Sequence, residues 1–105
     1  DHEKLWKEWE ARTTTMEGAV KSIKGVVTAI KVPPLGNVTP TLHINWDGAL
    51  IKLTTKSLQE NLRNGNPSIE VIGGGDNHII ITSWVMKPGD EKLVAARLKE
   101  EFSKA

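Results

Sequence analysis

The sequence contains no cysteine, which excludes disulfides, zinc–thiolate centres and thiol nucleophiles. It carries no excess of either charge: 14 Lys and Arg stand against 13 Asp and Glu, for a formal net charge of +1. Such a balance leaves no electrostatic footprint for a nucleic-acid backbone or an anionic membrane surface. No apolar run approaches the ~20 residues that a membrane span needs. The opening DHEKLWKEWE is charged, lacks the apolar stretch of a signal peptide and lacks an initiator Met. These absences lead to the expectation of a soluble, cytoplasmic piece, processed or cut from something longer. There is also no internal repeat and no low-complexity segment.

What is present fits one domain. At 105 residues the chain is long enough to bury roughly two thirds of the surface it exposes when unfolded. Asp1 to about Lys24 reads as one long helix, with Leu5, Trp9, Met16, Val20 and Ile23 on one face at spacings of three, four and seven. Thr13, Thr14 and Thr15 weaken it locally, because β-branched residues lose rotamer freedom in a helix. Gly25 stands where a left-handed cap belongs. Val26 to Val32 alternates and is β-branched, so it reads as a strand ended by Pro33-Pro34. Thr41 to Asp47 alternates cleanly, with Leu42, Ile44 and Trp46 pointing one way and His43 and Asn45 the other.

Thr54 can cap a second helix, with Leu53 and Leu58 in the positions of a hydrophobic staple and Gly65 at its end. Ser68 to Ile72 and His78 to Trp84 read as two strands around the turn GGGDN. KPGDEK opens a last helix with a stripe of Val94, Leu98 and Phe102, and Leu93 off that stripe. The pattern α-β-β-α-β-β-α predicts an α+β, two-layer domain: a four-stranded antiparallel sheet with helices on one face. The strand order first, second, fourth, third makes every neighbour antiparallel, like a permuted ferredoxin-like sheet.

Catalysis needs convergent groups, and few candidates offer them. His43 and His78 lie on strands that could be neighbours and could hold a metal if both faced one way, but no third ligand has useful spacing. Two polar-face histidines on a half-exposed sheet is the simpler reading, and the expectation is no metal site. Gly73 to Asp76 precedes a strand, whereas a phosphate cradle precedes a helix N-terminus, so a hairpin turn is favoured. Arg63 stands at the carboxyl end of the second helix, beside a loop marked by Gly65 and Pro67. A cation there stabilises the helix end. A guanidinium at a loop edge can also grip a carboxylate or phosphate in two places. No residue reads as catalytic.

Three segments, PTLHINWD, LRNGNPSIEV and MKPGDEKLVAARL, occur in that order. Together they resemble the C-terminal small domain of fold-type I pyridoxal-phosphate enzymes. The group resembled contains L-seryl-tRNA(Sec) selenium transferase and D-glucosaminate-6-phosphate ammonia-lyase-like proteins. The likeness rests on a Pro before a strand ending in Trp46-Asp47, on Leu62, Arg63, Gly65 and Pro67, and on Pro88, Gly89 and Asp90. The opening WKEWEARTTTMEGAVKSIKGVVT looks like the helix leading from the large domain into the small one.

The resemblance implies a non-catalytic part of a lyase or transferase acting on an amino-acid or amino-sugar substrate. It places the lysine that forms the Schiff base, the aspartate on the pyridine nitrogen and the phosphate-binding groups in a large domain outside this chain. It further implies that the parent binds pyridoxal phosphate, that it forms a homo-oligomer, and that Arg63 contacts its substrate. Trp6, about 80° from the centre of the first helix's apolar stripe by the 3.6-residue period, is expected at an interface with the large domain or a second subunit. Trp9 is expected in the core. The rival readings are a stand-alone ligand- or partner-binding module and a structural dimerisation domain.

Overall fold

The structure, a computed structural model, describes residues 2–31, 41–65, 68–82 and 89–105, with the side chains of His2, Leu5 and Trp6 outside that description. The expected interface at Trp6, the Pro33-Pro34 stop, and the motif prolines Pro40, Pro67 and Pro88 therefore lie outside the described residues. The element order is α1 (His2–Val20), β1 (Val26–Lys31), β2 (Thr41–Trp46), α2 (Thr55–Arg63), β3 (Ile72–Gly75), β4 (His78–Thr82) and α3 (Asp90–Lys104). The four strands form one antiparallel sheet in the order β1-β2-β4-β3. The α+β architecture and the strand order are those read from the sequence.

Alternation along the strands decides which face is covered. Leu42, Ile44 and Trp46 of β2 and Ile79 and Ile81 of β4 are all buried beneath the helices. Trp46 is fixed at both ends: its Nε1 donates to the Leu53 carbonyl at 2.7 Å, and its ring meets Phe102 of α3 edge-on at 5.2 Å. Such an edge-to-face pair suits the aromatic quadrupole. Val94, Leu98 and Phe102 face this core, and Leu93 is exposed as expected. α1 packs chiefly on α3, and Arg12 of α1 pairs with Glu91 of α3 at 3.7 Å.

The threonine run does not interrupt α1. Thr13 and Thr15 donate their hydroxyls to the carbonyls of Trp9 and Ala11, at 2.8 and 2.9 Å. Thr13 is thereby neutralised and joins Trp9, Met16 and Val20 on the buried stripe. The described side chains ahead of Trp9, those of Glu3, Lys4, Lys7 and Glu8, are all exposed.

Three boundaries differ from the sequence reading. α1 stops at Val20 rather than Lys24, because Ile23 and Val26 donate to the carbonyls only three residues back, each at 3.0 Å. The chain tightens there and turns through Gly25 at φ 94°, which a side chain would resist. Residues 68–71 are extended but do not ladder onto β4. Their polar groups are taken by α2 instead: Ile69 N–H donates to the Leu62 carbonyl at 2.9 Å and Gln59 Nε2 donates to the Val71 carbonyl at 3.1 Å. The ladder begins only at Ile72, so glycines expected in the turn are strand residues, and Asp76-Asn77 makes the turn with Asn77 at φ 50°. Finally, Gly65 is not a left-handed cap: α2 ends on Asn64 in a right-handed conformation.

Candidate functional site

Two places bring polar side chains together. The first is the corner LRNGNPSIEV. α2 starts with a complete capping box, in which Ser57 N–H donates to Thr54 Oγ1 at 3.0 Å and Thr54 N–H donates to Ser57 Oγ at 3.1 Å. Leu58 and Leu62 bury its apolar face, which turns Arg63 outward. At the far end, orphan carbonyls of the last turn find donors. Ser68 Oγ donates to the Arg63 carbonyl at 2.5 Å, and Ile69 N–H serves Leu62.

Arg63 itself is engaged in a two-point pair. Its Nε donates to Glu70 Oε1 at 2.8 Å and its Nη2 donates to Glu70 Oε2 at 3.3 Å. The hydrogen bond to Glu70, and then its charge, raise the guanidinium pKa further above its already high value. Both side chains are half exposed or more, so the pair is exchangeable with solvent and with other anions. Glu70 also lines a cleft of about 420 Å³ between the β3–β4 edge and α3, with Ile72, Asp90, Leu93 and Val94 among the other walls.

A second arginine in this corner escaped the sequence reading. Arg97 of α3 lies across Gly65, donating from Nη2 to the Asn61 carbonyl at 3.1 Å and from Nη1 to Glu101 Oε2 at 3.2 Å. Glu101 is buried and also accepts from Asn61 Nδ2 at 3.0 Å. A Cβ on Gly65 would meet the guanidinium, so this glycine makes room for Arg97 and is not there for a left-handed φ. The signal was available in the i, i+4 spacing of Arg97 and Glu101, though nothing local pointed it at Gly65.

The second place is the uncovered face of the sheet. Register sets Ala29, His43, Ile80 and Ile72 in one row across the four strands, with Val27, Asn45 and His78 in the next. His43 and His78 are diagonal neighbours on that face, and His43 Nδ1 lies 2.9 Å from His78 Nε2. His78 Nδ1 lies 3.0 Å from the Gly74 carbonyl. Burial first, then Lys31 and His78, push the His43 pKa below 6.5. The two histidines thus face the same way and meet directly. Among the described residues no group of three or more ligand-type side chains could hold a metal ion.

Each glycine of GGGD has its own reason. A Cβ on Gly73 would press on Gln59 and Thr55 at 3.2–3.3 Å, one on Gly74 would strike the His78 ring at 2.6 Å, and Gly75 has φ 124°. Thr55 Oγ1 donates to the Gly75 carbonyl at 2.7 Å and accepts from His78 N–H at 3.0 Å, which stitches the hairpin to the start of α2. This is a packed hairpin that runs on into β4, and the α2 N-terminus beside it is closed by its own capping box.

The fold and these sites define a small α+β domain in which a helix-end arginine faces a loop carboxylate. No family model matches the sequence, and no curated protein matches it. Among solved structures, the chain is similar to D-glucosaminate-6-phosphate ammonia-lyase, with a TM-score of 0.75 and 18% sequence identity. The match covers 90% of this chain and 26% of that one, so the chain has the fold of about a quarter of the ammonia-lyase. Among the described residues, no helix is long and apolar enough to cross a membrane.

Proposed function

We propose that this chain is the C-terminal small domain of a pyridoxal-phosphate-dependent lyase or transferase acting on an amino-acid or amino-sugar substrate. The observation that carries this reading is the fold shared with a quarter of D-glucosaminate-6-phosphate ammonia-lyase over nearly the whole of this chain. The ordered motifs around Trp46-Asp47, Leu62-Arg63 and Gly89-Asp90 support it.

Alone the domain is non-catalytic. The cofactor supplies an electron sink for carbanion chemistry when bound in the parent. Anchoring it requires an amine held in a desolvated or cation-rich site, and every described lysine here is exposed. The described residues therefore do not fit as its anchor, and the missing large domain of the parent is the proposed carrier of the anchoring lysine. The role assigned to this domain is to help close the parent's site and to present Arg63 to the substrate's carboxylate or phosphate, in exchange for Glu70. Trp6 would contact the large domain or a second subunit of a homo-oligomer, since Trp is favoured in such contacts. A soluble, cytoplasmic parent accords with the sequence.

Two measurements test this. Mixed with pyridoxal phosphate, the chain should give no stoichiometric, borohydride-trappable adduct at a single Lys; such an adduct would end the fragment reading. Reading the coding sequence upstream of Asp1 should reveal an in-frame large domain with a lysine site. A native start codon just before Asp1 would instead favour a stand-alone binding module or a dimerisation domain, with the uncovered sheet face as the working surface.

A further inference from the structure

The histidine pair on the uncovered face has one arrangement of protons. The Gly74 carbonyl can only accept, so His78 Nδ1, 3.0 Å away, must carry a hydrogen. In a neutral ring, His78 Nε2 is then a bare acceptor. The contact of 2.9 Å to His43 Nδ1 therefore requires the hydrogen on His43. A directional chain results: His43 Nδ1–H donates to His78 Nε2, and His78 Nδ1–H donates to Gly74. His43 Nε2 is left as the lone acceptor at the outer end. Gly74 has no side chain because the His78 ring occupies the place where one would stand. The carbonyl it offers belongs to the irregular step between Gly73 and Gly75, where the β3–β4 register shifts.

We propose that His43 and His78 form a proton-operated clasp between β2 and the β3–β4 hairpin, closed with one added proton or none and opened by the second. The first proton enters at His43 Nε2 and leaves the His43 Nδ1–H donor in place, so the pair persists as a charge-assisted bond. A second proton has only His78 Nε2 to occupy. Two N–H groups then point at one another, and the 2.9 Å contact is lost. His43 swings away, and the hairpin keeps its ladder, its buried face, the Trp46 bond to the Asn77 carbonyl and the Thr55 stitch.

The surroundings resist protonation of the pair, so the clasp opens only on acidification. Lys31 of β1 is the charged group that acts on His43 besides His78. Among the described residues no carboxylate bonds either ring, and the helices lie on the opposite face. The His43 pKa is depressed in the folded chain, so just below pH 6.5 the unfolded chain holds more protons. Stability consequently falls as pH falls through 6.5 and is fully present above it.

The test is nitrogen-15 NMR of the full 105-residue chain, read through long-range couplings to the ring carbons. At pH 8 both His43 and His78 should be Nδ1–H tautomers, with His2 as an internal control. On acidification the pair should titrate in two coupled steps, the second proton binding at least tenfold more weakly than the first. In Gly74→Ala the His78 ring loses its seat, and both tautomer signatures should disappear while far-ultraviolet dichroism stays native. In His43→Asn, His78 should titrate in one step. An Nε2–H tautomer at either ring at pH 8, or two independent titrations in the unsubstituted chain, overturns the proposal without reference to any variant.

Discussion

The two faces of the sheet are built from the same strands and obey opposite rules. On the inner face Leu42, Ile44, Trp46, Ile79 and Ile81 are at most 5% exposed, and each is held by neighbours from the helices and adjacent strands. One residue along, on the outer face, Val27 is 67% exposed and Ile72 55%, and the polar contacts include the chain of imidazoles from His43 through His78 to Gly74. The inner face specifies the fold and tolerates little. The outer face contributes little to folding, and this freedom lets it hold groups whose protonation can change.

That contrast can be broken by substitution. Trp46→Ala removes the indole, its hydrogen bond to Leu53 and its contact with Phe102, and should cost about 3–5 kcal/mol in denaturant unfolding. Trp9→Ala on the buried stripe should fall in the same range of about 3–5 kcal/mol. Trp6→Ala, if Trp6 serves a missing partner, should cost the isolated chain well under half as much. Equal losses at the two positions would remove the interface argument.

Gly65→Ala tests the corner instead of the sheet. The new methyl should push Arg97 off Asn61 and leave buried Glu101 short of a partner, at a cost of about 1–3 kcal/mol. Combining it with Arg97→Ala should be far from additive, because both changes act on one contact. Thr54→Ala, which removes the capping box of α2, should cost about 1 kcal/mol. Val27→Ala on the outer face should stay within about 0.5 kcal/mol. A large loss there would show that the outer face is not the permissive one.

Glu70→Gln should have the smallest effect on folding, since the Arg63–Glu70 pair is largely exposed. It should instead raise the affinity of Arg63 for inorganic phosphate, measured by chemical-shift titration. Unchanged affinity would mean that Glu70 does not compete for the guanidinium fork.

Much of the fold was legible because period and capping chemistry agree within short windows. The alternation of Thr41 to Trp46, the Thr54 cap and the Val94-Leu98-Phe102 stripe are all local statements, and the structure keeps each of them. The start of β3 was not legible. Residues 68–71 alternate like a strand, yet Gln59 and Leu62 of the preceding helix claim their backbone groups. Thr13 is absent from the apolar stripe read in the sequence because its hydroxyl is polar, and only the helix, by satisfying that hydroxyl, lets it be buried. At the candidate site, Arg63 could be singled out as a helix-end cation next to a loop. Its partner Glu70 depends on the path of that loop, and the meeting of Arg97 with Gly65 depends on how α3 crosses α2. The contact between His43 and His78 required the strand order and the pairing register together.

The strand order has a consequence for how the chain reaches its native state. The middle of the sheet is the β2–β4 ladder, which pairs Thr41 with Thr82 and Asn45 with His78, and α1 rests mainly on α3, the last element. Neither the central ladder nor the main helix contact can form until the second half of the chain is available. Closing such long loops costs entropy before any contact repays it. During synthesis the first helix and first hairpin must therefore wait, with Trp9, Met16 and Ile44 uncovered, until α3 has left the ribosome. Folding of this domain is then a single late event, and a nascent chain stalled before Asp90 should be a natural client for chaperones.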